Sequence, residues 1–439
     1  MSWTTQYTAS SLLQSGSDMY ALIERLYPIC RSITGNGLRQ SLAILREYLP
    51  LEVHEVPSGT QVFDWTIPRE WNIRDAYIKN EAGERVVDFR KLNLHVLNYS
   101  IPVAGTFTFE ALKPHLFTEP EKPALVPYRT SYYQENWGFC LSQQQYDELA
   151  TDPLAKYEVL IDSSLEAGHL TYGEYYLPGQ CEEEVLISTH ICHPSLCNDN
   201  LSGMAVVTAL ASYVSRLKNR YSYRFLFIPG TIGSISWLAR NEEKTPHIRF
   251  GLVASLLGDS GPFTYKKSRR GTAEIDQIVA YVLEQSGYAF QIQEFIPYGY
   301  DERQFCSPGF NLPVGNLTRT PFAQYPEYHT SADNLSFVKP ENLQASLEIY
   351  REVVHLIERN RSYLNQYPKC EPQLGKRGLY DAIGGSNDRK QLQMAMLWIL
   401  NLSDGEHSLL DIARKSGIPF DLIWKMAQIL TEKSLITSK

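Results

Sequence analysis

Two spacings of apolar residues alternate along this chain and divide it into parts. MYALIERLYPI and GLRQSLAILREYL repeat apolar residues at helical spacing, so residues 17 to 49 are expected to form two helices, with Asp18 capping the first. LEVHEVP then alternates apolar and polar positions, as a half-buried strand does. From about residue 60 to 178, short β-type runs follow one another: VFDWTI, DAYIKN, RVVDF, HVLNYSI, KYEVLID and LTYGEYYL. Pro and Gly punctuate them, and only SQQQYDELA reads as a helix, so this stretch is expected to be mostly β.

Beyond residue 178 the apolar runs become continuous. EEVLISTHI, YRFLFIPG and FGLVASLLGDS read as buried strands, with helices at NLSGMAVVTALASYVSRL, GSISWLARN and EIDQIVAYVLEQSG. Such alternation predicts an α/β unit with a mostly parallel sheet flanked by helices. ENLQASLEIYREVVHLIERN closes it with a long helix. The N-terminal helices and first strand are expected to join this unit, which makes the β stretch an insertion. The expected boundaries are 1–58 and 179–367 for the α/β core, 59–178 for the inserted β domain and 368–439 for a C-terminal segment. That segment follows Pro368 and the Gly-rich break DAIGGSND. It offers three helices and a short strand at SLIT, a pattern that resembles a winged helix-turn-helix.

Composition narrows the function classes. At 439 residues the chain is too long for one ordinary core, and 43% hydrophobic with 21% charged residues is globular. The net charge of -8 argues against nucleic-acid binding by the whole chain. From Cys370 to Lys439, nine Lys and Arg face eight Asp and Glu, and PFDLIWKMAQILTEK is largely apolar. The winged helix is therefore expected to dock on protein or to support a homo-oligomer, through itself or the β domain, rather than to grip DNA. No run is long enough to span a membrane, and the N-terminus lacks a basic region followed by an apolar one. Seven cysteines without CxxC spacing read as the reduced thiols of a cytoplasmic protein.

The densest chemistry lies in STHICHPSLCNDNLSG, residues 188 to 203. It follows a buried strand and leads into a helix, and ligands of open α/β sheets bind outside the carboxyl ends of the strands. His190, His193 and Asp199 fall there within ten residues, and imidazole nitrogens with carboxylate oxygens are the donors zinc takes. Asp259 in LLGDSG, Asp301, Glu302 and Arg303 in YGYDERQF, and His329 with Asp333 in YHTSADNL are expected at the same edge. Backbone hydrogen bonding by these histidines, and an ion pair between Glu302 and Arg303, are the plain structural alternatives.

The order of a strand-end His, an Asp-Asn-x-x-Ser-Gly turn, a strand-end Asp and Tyr-His-Thr-x-x-Asp-Asn resembles the M28 zinc aminopeptidases. CRSITGNGLRQSL, HICHPSLCNDNLSG, IGSISWL, SRRG, DERQFCSPGFNLPVG and YPEYHTSADNL resemble more closely a subfamily of the DUF2172/DUF4910 type, with an inserted β domain and a C-terminal winged helix, often met in polysaccharide biosynthesis. The resemblance spans nearly the whole chain. It implies that His190, Asp199, Asp259 and His329 bind zinc, with Asp199 as the bridging carboxylate. His193 is an added ligand or orienting residue, because the family's His-x-Asp is His190-Ile191-Cys192 here.

The chain departs from that family in FIPGTIGS. Two adjacent glutamates, a general base and a ligand, are Gly230 and Thr231 here, so one zinc ion is expected rather than two. Glu302 is the replacement base considered, with Asp301, Arg303, Tyr325 and Tyr328 as substrate-binding residues. Arg31, Arg39, Arg269 and Arg270 are candidates to hold a substrate acid group, with surface placement as the alternative. Cys192 and Cys197 read as buried small residues. The expected function is a zinc-dependent aminopeptidase-like hydrolase acting on an amide or N-terminal peptide bond of a small substrate, impaired at Gly230. The alternatives are a catalytically degenerate binding protein and a winged-helix regulator.

Overall fold

The computed structural model describes residues 13–379 and 386–439. Most of the N-terminal segment judged for a leader, and the centre of the Gly-rich break, lie outside the described residues. The chain divides into two compact units, one ending at Arg351 and one starting at Glu352.

The first unit opens with two helices, α1 (Gly16–Leu26) and α2 (Asn36–Leu45). Ser15 holds the N-cap of α1, and Asp18 acts from the third helical position, where its carboxylate accepts the Ser15 N–H at 2.9 Å. The two form a reciprocal capping box. Strand β1 (Glu52–Pro57) follows and becomes an edge of the central sheet.

The insertion is built on β2 (Glu70–Lys79), β3 (Arg85–Asp88), β4 (Val103–Thr108) and β5 (Lys156–Glu166), an antiparallel sheet in the order β3-β2-β5-β4. HVLNYSI makes only isolated bridges, Val96 to Phe139 and Asn98 to Thr130. Its polar side chains turn to backbone instead: His95 Nδ1 meets Cys140 O at 2.8 Å, and Asn98 Nδ2 donates to Arg31 O at 3.2 Å.

Strand β6 (His169–Leu177) corrects the expected insertion boundary, because it lies inside the central sheet. It pairs antiparallel with β1 on one side and with the later strand 222–228 on the other. Its residues from Leu170 to Tyr175 are all buried, so its place among the short β-type runs of the insertion misled.

The α/β succession then appears as expected. It runs β7 (Glu184–His190), α3 (Gly203–Val214), β8 (Ser222–Ile228), α4 (Ile232–Arg240), β9 (Ile248–Ala254), β10 (Phe263–Lys266), α5 (Glu274–Gln285), β11 (Phe290–Gln293), the single turn α6 (Glu302–Phe305), β12 (Val314–Thr318) and α7 (Pro340–Arg359). The sheet order is β1-β6-β8-β7-β9-β12-β10-β11. The inner pairs β8-β7, β7-β9 and β9-β12 are parallel, and every residue of β7 and β8 is buried. Parallel strands covered on both faces are continuous apolar runs for that reason. His190 lies opposite Ile228 in register, so β7 and β8 reach the same edge together.

In the second unit, β13 (Ser362–Asn365), β14 (Asp404–Ser408) and β15 (Ile436–Ser438) form a small antiparallel sheet, with helices α8 (Ser386–Leu402), α9 (Leu409–Ser416) and α10 (Phe420–Glu432). The unit thus includes a strand before residue 368. Gly417, at a φ of 68°, makes the tight turn out of α9. Phe420, Ile423, Met426, Ala427 and Leu430 of α10 are buried, and α10 packs on α8 and α9. The apolar face that suggested protein docking is thereby used within the unit. Among the described residues, no helix is long and apolar enough to cross a membrane.

Candidate metal centre

Strand β7 delivers His190 to the sheet edge, fully buried. The chain then makes an irregular turn, Cys197–Ser202, in which Asp199 and Asn200 leave helical geometry. Side chains shape that turn. Asp333 accepts the Asn198 N–H at 2.6 Å and the Asp199 N–H at 3.0 Å. Asn200 Nδ2 donates back to Thr189 Oγ1 and to His190 O at 2.9 and 3.0 Å. Burial pushes the Asp333 carboxyl up to about 8, against the pull of its backbone donors. The result is a carboxylate, Asp199, pointed at the end of β7.

Two histidines meet it. His190 Nε2 lies 2.7 Å from Asp199 Oδ1, and His329 Nε2 lies 2.9 Å from Asp199 Oδ2. His193 stands beside both, with ring centroids 5.1 Å from His190 and 5.3 Å from His329. Donor atoms of His190, His193 and Asp199 lie within 4.8 Å of one another. Burial opposes charge on Asp199, yet hydrogen bonds from the imidazoles of His190 and His329 help hold the carboxyl well below its usual range. Burial drives His193 down to about 3, so its ring is neutral and ready to act as a ligand. His190 Nδ1 is buried with no partner. A neutral imidazole, an ionised carboxylate and two further convergent imidazoles suit zinc, which takes nitrogen and oxygen donors at tetrahedral sites. The open side is at His329, whose side chain is 28% exposed.

The other expected site residues are placed differently. Asp259 stays outside this group. Strand β9 stops at Ala254, and the N–H groups of Leu256, Leu257 and Gly258 go to Asn200 Oδ1, Ser202 Oγ and Asn198 Oδ1. The loop so formed leaves Asp259 accepting from Thr320 Oγ1, Gly261 N and Asn198 Nδ2 at 2.6, 2.7 and 3.0 Å. It braces the residue next to Asp199. Glu302 is fully buried and paired with Lys266 at 2.5 Å, not with Arg303, which is exposed. Glu302 is therefore tied up in that ion pair rather than free to serve as a base. Asp301 is fully buried and bound to Ser234 Oγ at 2.7 Å. Tyr328 stacks on His329 at 3.9 Å, and Tyr325 packs edge-on against Tyr328 at 5.5 Å.

Gly230 ends the run after β8, one strand from His190. A Cβ there would lie 1.9 Å from Tyr300 Cε1. The Tyr300 ring fills the space, packing 4.5 Å from His190 and donating its hydroxyl to Gly230 O at 3.1 Å. Thr231 N-caps α4 and is not among the cluster's donors.

Sequence reasoning missed one contributor, Tyr128, and misjudged another, Arg31. Tyr128, from the insertion, sits 5.2 Å from the His193 ring and 5.1 Å from His329, and its N–H donates to His329 O at 2.7 Å. A strand-poor stretch rich in Pro and Tyr gave no local signal of this. Arg31 is 1% exposed, which overturns its surface placement. It donates to His193 O and Leu26 O at 2.9 and 2.6 Å and so fixes the segment that carries His193. Arg39 pairs with Glu55 and Glu70, and the exposed Arg269 and Arg270 bond to Asn311.

A Clostridium acetobutylicum protein named "Putative polysaccharide biosynthesis protein with aminopeptidase-like domain" is 56% identical over 423 residues, 96% of each chain. The crystal structure of a "putative peptidase" from the same organism superposes with a TM-score of 0.91 at 54% identity, covering 97% of this chain and 96% of that one. BSAP, a zinc aminopeptidase from Bacillus subtilis, shares the fold at a TM-score of 0.56 and 13% identity, over 79% of this chain and 96% of its own. Residues 361–438 match the winged helix-turn-helix family. Residues 20–360 match the family described as Domain of unknown function (DUF4910), and the chain belongs to it.

Proposed function

We propose that this protein is a one-zinc, aminopeptidase-like hydrolase of small peptides or amides, with turnover held low by the lack of a general base. The observation that carries the reading is the Asp199 carboxylate bonded to both His190 and His329, with neutral His193 alongside. These four residues would hold the metal. Bound zinc supplies a Lewis acid for an amide carbonyl and lowers the pKa of bound water. The chain's own groups do the rest. Asp333 and Asn200 fix the turn that presents Asp199. Tyr128 and Tyr328 wall the site on either side of His329 and exclude water from the reacting bond. Substrate reaches the site from the half-exposed His329 side.

Proton transfer is the weak step. General-base catalysis contributes about 100- to 10,000-fold, and neither Gly230 nor the Lys266-paired Glu302 offers it. The Tyr300 ring in the place of a base also supports a second reading, a binding protein that captures an amide or peptide without cleaving it. The near-neutral charge of the winged helix supports a role other than DNA binding.

The test is zinc-loaded protein assayed against aminoacyl amides and dipeptides, with binding of the same compounds followed by calorimetry. Slow turnover that disappears in Asp199→Ala supports the hydrolase. Binding without turnover supports the second reading, and neither binding nor turnover contradicts both.

A further inference from the structure

We propose that Asp301 is the positioning residue for His190, accepting the Nδ1 proton of that imidazole when a metal ion occupies Nε2. The inference rests on the metal reading above and assigns the partner that reading leaves open.

In this structure His190 Nε2 lies 2.7 Å from Asp199 Oδ1 and donates its proton there. A metal ion takes a deprotonated imidazole nitrogen. Once Nε2 is a ligand, the ring proton must reside on Nδ1, and that N–H is then a buried donor. His190 is 0% exposed and its Nδ1 has no partner, so water does not satisfy it from bulk. A buried donor left unpaired costs about 1–3 kcal/mol. Metal-bound histidines almost always give this N–H to a carboxylate, a carbonyl or water.

Sequence-adjacent help is missing, because the residue two beyond His190 is Cys192. Its Sγ faces Tyr300 Oη, His193 Nδ1 and Gly230 O at 3.4, 3.6 and 3.8 Å, and burial pushes its thiol up to about 12. A neutral thiol is a poor acceptor.

Asp301 has the complementary defect. It is 0% exposed, its Oδ1 takes the Ser234 hydroxyl at 2.7 Å, and its Oδ2 has no partner. It follows Tyr300 directly, and the Tyr300 ring packs 4.5 Å from the His190 ring. Asp301 couples electrostatically to both His190 and Cys192, so its carboxylate lies in the neighbourhood from which the adjacent carboxylate is missing. One buried acceptor before α6 and one buried donor at the end of β7, each unsatisfied, thus lie in one neighbourhood. A role for Asp301 in touching substrate is at odds with its complete burial.

Zinc affinity of the full-length protein, measured by competition with a chelator, tests this. Asp301→Asn should weaken zinc binding by about 10- to 100-fold, the usual cost of losing such a partner. Adding Cys192→Asp to that variant should recover most of the loss, since it puts a carboxylate back two residues from the ligand. A structural role for Asp301 would not be rescued from position 192. Side-chain ¹⁵N NMR of the zinc-loaded protein should show a hydrogen-bonded His190 Nδ1–H that weakens in Asp301→Asn. Unchanged affinity and an unchanged Nδ1–H signal in Asp301→Asn overturn the inference. Failure of the parent protein to bind zinc overturns the metal reading itself.

Discussion

Neighbouring strands β7 and β8 run parallel, are buried throughout and end at one edge in register, yet their exits differ in kind. The exit of β7 carries His190, His193 and Asp199, and other segments brace each: Asp333 holds the turn, Arg31 holds the His193 segment and Tyr128 backs two rings. The exit of β8 carries Pro229, Gly230 and Thr231, and the space beside Gly230 belongs to Tyr300. On the proposed reading, such a site keeps its ligands without a base, because the two would sit on different strands with separate supports. The space beside Gly230 is packed by Tyr300 rather than left open, so on that reading one restored side chain does not supply a base.

The largest expected effect comes from breaking the β7 side. Asp199→Ala removes the carboxylate that both histidines share, and zinc affinity should fall by more than the roughly 100-fold that follows loss of an outer partner. Chelator competition measures it. If affinity is retained, the ligand set is elsewhere and the contrast between the two exits collapses.

Next is Glu302→Gln, which separates a catalytic role from a packing role. Breaking a buried ion pair costs about 3–5 kcal/mol, so denaturant unfolding should show a loss of that order. Zinc affinity should stay unchanged. A large fall in turnover with full stability would instead make Glu302 the base.

Gly230→Glu sharpens the β8 side. Its Cβ would meet Tyr300 at 1.9 Å, and overpacking of this kind costs about 1–3 kcal/mol. The single variant should be less stable and no more active. Combining it with Tyr300→Ala should recover part of the stability, a non-additive pair as expected for residues in contact. Rescue of turnover by Gly230→Glu alone would show that Tyr300 yields readily.

The last effect is in pH and is confined to acid conditions. Burial holds His193 neutral to about pH 3 in the folded chain, whereas an unfolded histidine takes its proton near 6.5. The unfolded state binds more protons between these values, so this residue makes the zinc-free protein lose stability as pH falls from about 6.5 toward 3. His193→Gln should flatten that part of the stability profile. An unchanged profile would mean that the histidine is protonated in the fold.

Much of this was legible in the sequence. The buried runs EEVLISTHI and YRFLFIPG and the helical spacing of NLSGMAVVTALASYVSRL place the α/β core, and the order of His and Asp residues points to one sheet edge. What was not legible depends on long-range contact. LTYGEYYL reads like the other short β-type runs of the insertion, yet it lies buried within the central sheet. Asp259 follows an apolar run like a ligand, but side chains of the 198–202 turn draw the loop away from the strand line. Glu302 and Arg303 are adjacent in sequence, and Lys266 on another strand takes the pair. Tyr300 beside Gly230, and Tyr128 beside His329, join residues 70 or more positions apart, which no local pattern encodes.

The most direct test of the central claim is the zinc content of purified protein after equilibration with limiting zinc, measured by elemental analysis beside Asp199→Ala. The account expects one zinc per chain in the parent and none in the variant. Zinc-free parent protein, or equal zinc in both, would contradict a metal centre at the end of β7.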